Sequence, residues 1–426
     1  MNRADFAVID CNQLLTCRGP SPKRKEALQD VVLLEKGCIA SFKGEIVFIG
    51  DKKAFHHEFQ MEDDAVILDA NGLTGLPGFV DPHTHLPFAG SREEEFALRV
   101  KGYTYLELAQ KGMGIQTSVN ATRQISEADL LSLCLSRLDS MLLHGTTTVE
   151  AKSGYGLNME DEIKQLRVLK EANKIHPVDI VPTFLGAHEV PKEYKDRKTE
   201  YIDLLTQKIL PEVTSNNLAE FFDVFCEEGV YSVEETRDLI QKAKEAGLKI
   251  RIHADEFVPL GGAQLAAEEG AASADHLMAI TEEGIQKMAQ SSTVATLLPG
   301  VSFFLMQERK APARKLIDAG AIVALATDFN PGSSMTESML FVLQLAVFTL
   351  KIGIEEAINA STINASYALG KQEQVGSLEV GKKMDLALWD VPNYSYLVYH
   401  LGVNPIKHVI KNGKLVVENG KILRSL

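Results

Sequence analysis

His83 and His85 stand two residues apart in GLPGFVDPHTHLPFAGS, Gly75 to Ser91, just after Gly78-Phe79-Val80, which reads as a short buried strand. On an extended chain alternate side chains share a face, so the two imidazoles point one way and Thr84 the other. Such a pair suits a divalent metal, and it reads equally as one packed and one exposed histidine. The choice turns on whether further ligands follow.

Two later stretches supply them. Leu248 to Phe257, LKIRIHADEF, reads as a strand with His253 at its end and Asp255 and Glu256 just beyond. Acids there often cap the next helix. A carboxylate three residues past the histidine also leans over the same strand mouth, which makes His253 a ligand and Glu256 an acid/base group. Ile322 to Gly332, IVALATDFNPG, is an apolar strand closed by Thr327-Asp328. A carboxylate directly after a buried strand is costly unless paired or bound to metal, so Asp328 completes the set His83, His85, His253 and Asp328. One zinc or iron(II) ion with a position left for water fits that set, and water on such a metal ionises near neutral pH, which predicts hydrolysis. His276, in SADHLM (Ser273 to Met278), reads alone as a core histidine. Beside the metal site it orients the nucleophile or stabilises a developing oxyanion.

Bringing these residues together requires strands that end at one face. From the first histidine pair to Asp328, β-like runs alternate with charged, helix-periodic stretches such as Glu234 to Ala246 and Thr281 to Ala289. Eight runs end near His85, Thr148 to Lys152, Gly186 to His188, Cys226, His253, His276, Leu298 and Asp328. Eight β-α units over about 300 residues predict an α/β (β/α)8 TIM barrel, with its site at the carboxyl ends of the strands. Five of the eleven histidines, His83, His85, His188, His253 and His276, fall at such ends. His56, His57, His144, His176, His400 and His408 do not, and read as surface or structural.

Both ends of the chain differ from this middle. Val31 to Gly50 reads as a β-meander, Gly376 to Asp390 as a strand pair, and Ile406 to Leu423 as hairpins around two Asn-Gly turns. The expected organisation is a composite β-sandwich from residues 1–76 and 377–426, with the catalytic barrel at 77–376.

The chain has 426 residues, 45% hydrophobic and 24% charged, which is globular composition. A net charge of -14 argues against nucleic acid or an anionic membrane as partner. No apolar leader or membrane span is apparent, which predicts a cytoplasmic protein. Five scattered cysteines, Cys11, Cys17, Cys38, Cys134 and Cys226, read as reduced thiols; Cys226 reads as buried rather than as a nucleophile.

PGFVDPHTH, HADE, SADH and ATDFNPG together resemble the amidohydrolase superfamily. The resemblance covers nearly the whole chain and implies a distorted barrel, a β domain built from both ends, and hydrolysis of C–N bonds in cyclic amides or amidines. Members with two metals usually carry a carboxylated lysine at the end of the fourth strand. Here Glu220 to Ser232, EFFDVFCEEGVYS, has none, which favours one metal. HLPFAGSREEEF (His85 to Phe96), EAKSGYGL (Glu150 to Leu157), TFLGAHEVP (Thr183 to Pro191), IHADEF (Ile252 to Phe257) and TDFNPGSS (Thr327 to Ser334) are similar to one branch of it. That branch opens the lactam of 4-imidazolone-5-propanoate to N-formimidoyl-L-glutamate in histidine degradation.

The resemblance implies a small substrate with a carboxylate tail. It gives Arg92 to the tail, although a salt bridge with Glu93, Glu94 or Glu95 suits the residue equally. Tyr155 reads as a substrate contact or a packed aromatic, and the resemblance sets His188 near the lactam oxygen. Asn330, Gly332 and Ser333 either grip the substrate or form a turn. In the implied reaction Glu256 moves protons and holds the ring nitrogen, and Asp328 accepts the water's proton. A homodimer is expected. A deaminase acting on a cyclic amidine such as guanine or cytosine is the alternative function.

Overall fold

The computed structural model describes residues 2–103, 107 and 113–423. The amino-terminal part holds β1 (Asn2–Leu15), β2 (Leu33–Phe42), β3 (Glu45–Asp51), β4 (Phe59–Asp69) and β5 (Thr74–Pro77). Only Gly78 separates β5 from β6 (Phe79–Asp81), the first barrel strand. Then come β7 (Thr146–Lys152), β8 (Asp179–Ala187), β9 (Phe221–Cys226), β10 (Lys249–Ala254), β11 (Ser273–His276), β12 (Val294–Leu297) and β13 (Ile322–Leu325). β14 (Leu386–Trp389), β15 (Ile406–Lys411), β16 (Lys414–Glu418) and β17 (Lys421–Ile422) end the chain.

β6 to β13 pair in chain order as an eight-stranded parallel sheet. Helices follow the strands on the outside, and some start on side-chain caps. Ser232 and Glu235 form a capping box on Val233–Glu245, and Thr281 caps Glu282–Gln290. The ring closes beyond the named strands. Thr84 bridges Phe329 in parallel, with Asp328 N to His83 O and His85 N to Phe329 O both at 3.0 Å. The seam between first and last strands therefore runs through His83, His85 and Asp328.

The β strands from the two ends share one nine-stranded mixed sheet, in which β14 sits beside β5 and β5 beside β1. Phe6, Val8, Ile39 and Ile46 from one end of the sheet pack with Leu386, Leu388 and Ile410 from the other, so the sheet folds over on itself in the manner of a sandwich. Trp389, fully buried, lies 5.7 Å from Phe79 between ring centroids and pins the sheet to the barrel. The two carboxyl-terminal turns are as expected, with Asn412-Gly413 and Asn419-Gly420 all at positive φ. Gly376 to Asp390 differs from the expected strand pair. Only β14 is a strand, because the residues before it make one isolated bridge, Lys383 to Glu45 at the head of β3.

Candidate active site

Five histidines converge at the carboxyl end of the barrel, with ring centroids 4.5 Å apart for His83 and His253, 5.1 Å for His85 and His188, and 5.2 Å for His253 and His276. His83 Nδ1 bonds Asp275 Oδ2 at 2.7 Å. A carboxylate accepts, so Nδ1 carries the proton and Nε2 keeps a bare lone pair. That lone pair faces Asp328 Oδ1 at 3.3 Å, and neither atom has a hydrogen-bond partner. His253 Nδ1 lies 3.1 Å from Asp223 Oδ2, and its Nε2 stands 3.4 Å from His85 Nε2. His85 Nε2 is itself 3.3 Å from Asp328 Oδ1. Buried lone pairs and a carboxylate oxygen repel one another unless a cation sits among them, so this donor set fits a metal ion.

The electrostatics agree. Burial and Lys152 push the His83 pKa down, yet the Asp275 and Asp328 carboxylates outweigh them and raise it to about 9, so without a metal a proton takes the Nε2 lone pair. The point they surround attracts positive charge. Burial takes His85 down to about 4, which keeps its ring neutral.

Beneath these histidines lies a layer of buried charge that sequence reasoning missed. Lys152 Nζ, from β7, is 2.8 Å from Glu150 Oε1 and 2.8 Å from Asp223 Oδ2 of β9, all fully buried. Glu150 Oε2 accepts from Thr84 N at 3.1 Å. Arg251 Nη2 lies 3.4 Å from Asp275 Oδ2 and donates to Pro82 O at 2.7 Å. Carboxylates behind ligating histidines fix their tautomers, and these cations fix the carboxylates. The fourth strand thus carries Asp223 at this level, with its cation arriving from the second strand.

Of the two acids after His253, Asp255 is the helix cap. Its carboxylate accepts from Gly261 N at 2.8 Å and Ala263 N at 3.0 Å. Glu256 lines the cavity instead. Burial, with Asp328 and Glu227 nearby, lifts its pKa well above the usual carboxylate range, so it carries a proton. Glu227 holds this turn by accepting from the backbone N–H groups of Glu256, Phe257 and Val258 at 3.0–3.2 Å. His276 is buried with neither ring nitrogen bonded, and its Nε2 is 3.6 Å from Glu256 Oε2. Burial lowers its pKa well below the usual value, so it is neutral. His188 Nδ1 must donate to Gly154 O at 2.9 Å, which leaves Nε2 of the neutral ring an acceptor. An acceptor suits a substrate N–H rather than the oxyanion side expected of it. Tyr155 is buried and lines the same cavity, 5.4 Å from the His188 ring. Cys226 is buried, and burial raises its thiol to about 11.

The cavity, of about 610 Å³, runs from these histidines to Arg92. Arg92 Nε and Nη2 bond Glu95 at 2.9 and 2.5 Å. The expected salt bridge therefore forms with Glu95, and it forms in the cavity wall. A Cβ on Gly332 would stand 2.2 Å from Arg92 Nη1, so glycine gives the guanidinium its room. Asn330 spends its amide on the turn, donating to Asp328 O and Ser333 Oγ at 2.7 and 2.8 Å and accepting from Gly332 N and Ser333 N at 2.8 and 2.9 Å. Ser333 Oγ is 3.4 Å from Asp328 Oδ2.

The chain belongs to the amidohydrolase family, whose model matches residues 74–416. It is 48% identical to an imidazolonepropionase of Geobacillus sp. over 97% of this chain and 98% of that one, and 47% identical to one of Alkaliphilus oremlandii over 98% and 99%. These full-length relatives put it among the imidazolonepropionases, which are cyclic-amide hydrolases. A zinc-containing adenosine deaminase from Xanthomonas campestris superposes with a TM-score of 0.73 over 99% of this chain and 95% of that one. At 18% identity it supports the fold alone.

Proposed function

We propose that this chain hydrolyses 4-imidazolone-5-propanoate to N-formimidoyl-L-glutamate, with one zinc or iron(II) ion held by His83, His85, His253 and Asp328. The observation that carries this reading is one cavity with unpartnered ligand atoms at one end and Arg92 at the other. When bound, the metal supplies the Lewis acidity that makes water nucleophilic at neutral pH. Asp328, held ionised by His83 and His85 despite its burial, takes the proton shed by the attacking water. Neutral His276 donates its ring N–H to the oxyanion formed at the lactam carbonyl. Glu256 delivers its proton to the ring nitrogen as the C–N bond breaks. His188 Nε2 accepts a ring N–H, Tyr155 closes the side of the ring, and Arg92 takes the propionate tail through the Nη edge that Glu95 leaves open. Gly332, Ser333 and Asn330 shape the floor beneath that tail.

The test is loss of imidazolone propionate absorbance with metal-stripped and metal-restored protein. Activity should vanish on stripping and return with zinc or iron(II). Turnover indifferent to stripping would remove the metal, and ammonia released from guanine or cytosine instead would favour a deaminase. Arg92→Ala should keep its metal and raise KM about 100-fold with a smaller effect on kcat, since the tail binds in ground and transition states alike. An unchanged KM would remove the tail assignment.

A homodimer is supported by the apolar surface at Phe303, Met306 and Phe348, each more than half exposed. Among the described residues no helix is long and apolar enough to cross a membrane. The five free, buried cysteines suit a reducing, cytoplasmic setting.

A further inference from the structure

Among the described residues the cavity lining carries two cations, Arg92 and Arg99, against five carboxylates, Glu95 and Asp328 among them, and the protonated Glu256. An anionic tail thus has one place to bind, and that place is partly neutralised already. Glu95 accepts both guanidinium bonds of Arg92 and is anchored by Gly114 N at 2.9 Å. A closed Arg–Glu pair has no net charge with which to attract another carboxylate.

Arg99 changes that balance. It lies seven residues on, two turns along the helix Glu93–Val100, on the face that Arg92 begins. Its Nη2 is 3.8 Å from Glu95 Oε1 and donates to Gly332 O at 3.1 Å. Its guanidinium lies 5.6 Å from the Phe304 ring centroid, which limits its swing. Among the described residues two cations flank one carboxylate, which leaves that trio with one positive charge.

We propose that Arg99 is the second cation of the tail subsite and determines its specificity for a carboxylate. Glu95 fixes the plane of Arg92 so that its free Nη edge meets the tail, and Arg99 supplies the charge that Glu95 cancels. The inference rests on the reading that the substrate carries a carboxylate tail.

The experiment compares kcat/KM for imidazolone propionate with that for the analogue whose tail is a propionamide. It uses the metal-loaded wild type, Arg99→Gln and Arg99→Lys, with metal content and unfolding midpoint measured on each. A wild type that does not prefer the acid removes the tail reading itself, whatever Arg99 does. Given that preference, Arg99→Gln should cut the acid-to-amide ratio about tenfold, mainly through KM, while Arg99→Lys retains most of it. A glutamine variant with the wild-type ratio would overturn the proposal. So would equal losses in both variants, which would make the bond to Gly332 O, and not charge, the cause. If Arg99→Gln fails to fold, Arg99→Met, which keeps the stem against Phe304, decides in its place.

Discussion

His253→Ala loses metal and turnover together. The substitution removes one of the lone pairs that crowd against His85 Nε2 and Asp328 Oδ1, and three ligands hold a divalent ion less well than four. Disturbing groups behind a ligand already costs about 10- to 100-fold in metal affinity, so deleting a ligand should cost more than about 100-fold. Elemental analysis after dialysis should find little metal, and kcat should fall by at least about 1,000-fold. The fold should survive, because Asp223 keeps its 2.8 Å contact with Lys152. Circular dichroism would confirm that. A variant that bound metal stoichiometrically and turned over normally would take His253 out of the ligand set.

Lys152→Met should strongly destabilise the barrel. It leaves Glu150 and Asp223 fully buried with no cation between them, and breaking a buried pair in this way costs about 3–5 kcal/mol. Denaturant unfolding of the metal-free proteins measures that cost without any contribution from bound metal. Metal affinity should weaken as well, since Lys152 and His253 together hold Asp223 ionised against its burial. Adding Glu150→Gln and Asp223→Asn to Lys152→Met should recover part of the stability and little of the affinity. An unchanged midpoint in the single variant would mean that Lys152 does not carry this layer.

The buried histidine and aspartate cluster was legible because each member ends an apolar run, where a polar side chain has few cheap explanations. Eight strand ends read from the sequence coincide with β6 to β13 and their extensions for the same reason. The layer below was not legible, because the pairs Lys152 with Asp223 and Arg251 with Asp275 join different strands, which only the folded barrel sets side by side. Their signal was present as single charges interrupting EAK, FFDVF, IRIH and SADH. A charge in a fully buried strand needs a partner, and following that requirement from Asp223 leads to Lys152. Arg99 escaped notice because a helical arginine two turns from Arg92 resembles any solvated residue until Glu95 and Gly332 are placed beside it. His188 was located by its strand end, but its tautomer depends on the Gly154 carbonyl, which only the folded backbone supplies.

The bridge between Thr84 and Phe329 joins positions 245 apart (329 − 84) and closes the ring. In folding, so distant a contact forms against a large loss of chain entropy, and local β-α units assemble ahead of it. The side chains that flank this last join are His83, His85 and Asp328, so any ion they hold spans both lips of the opening. With the proposed ion in place, metal uptake would favour ring closure, and a chelator should lower the unfolding midpoint of this chain as well as its activity.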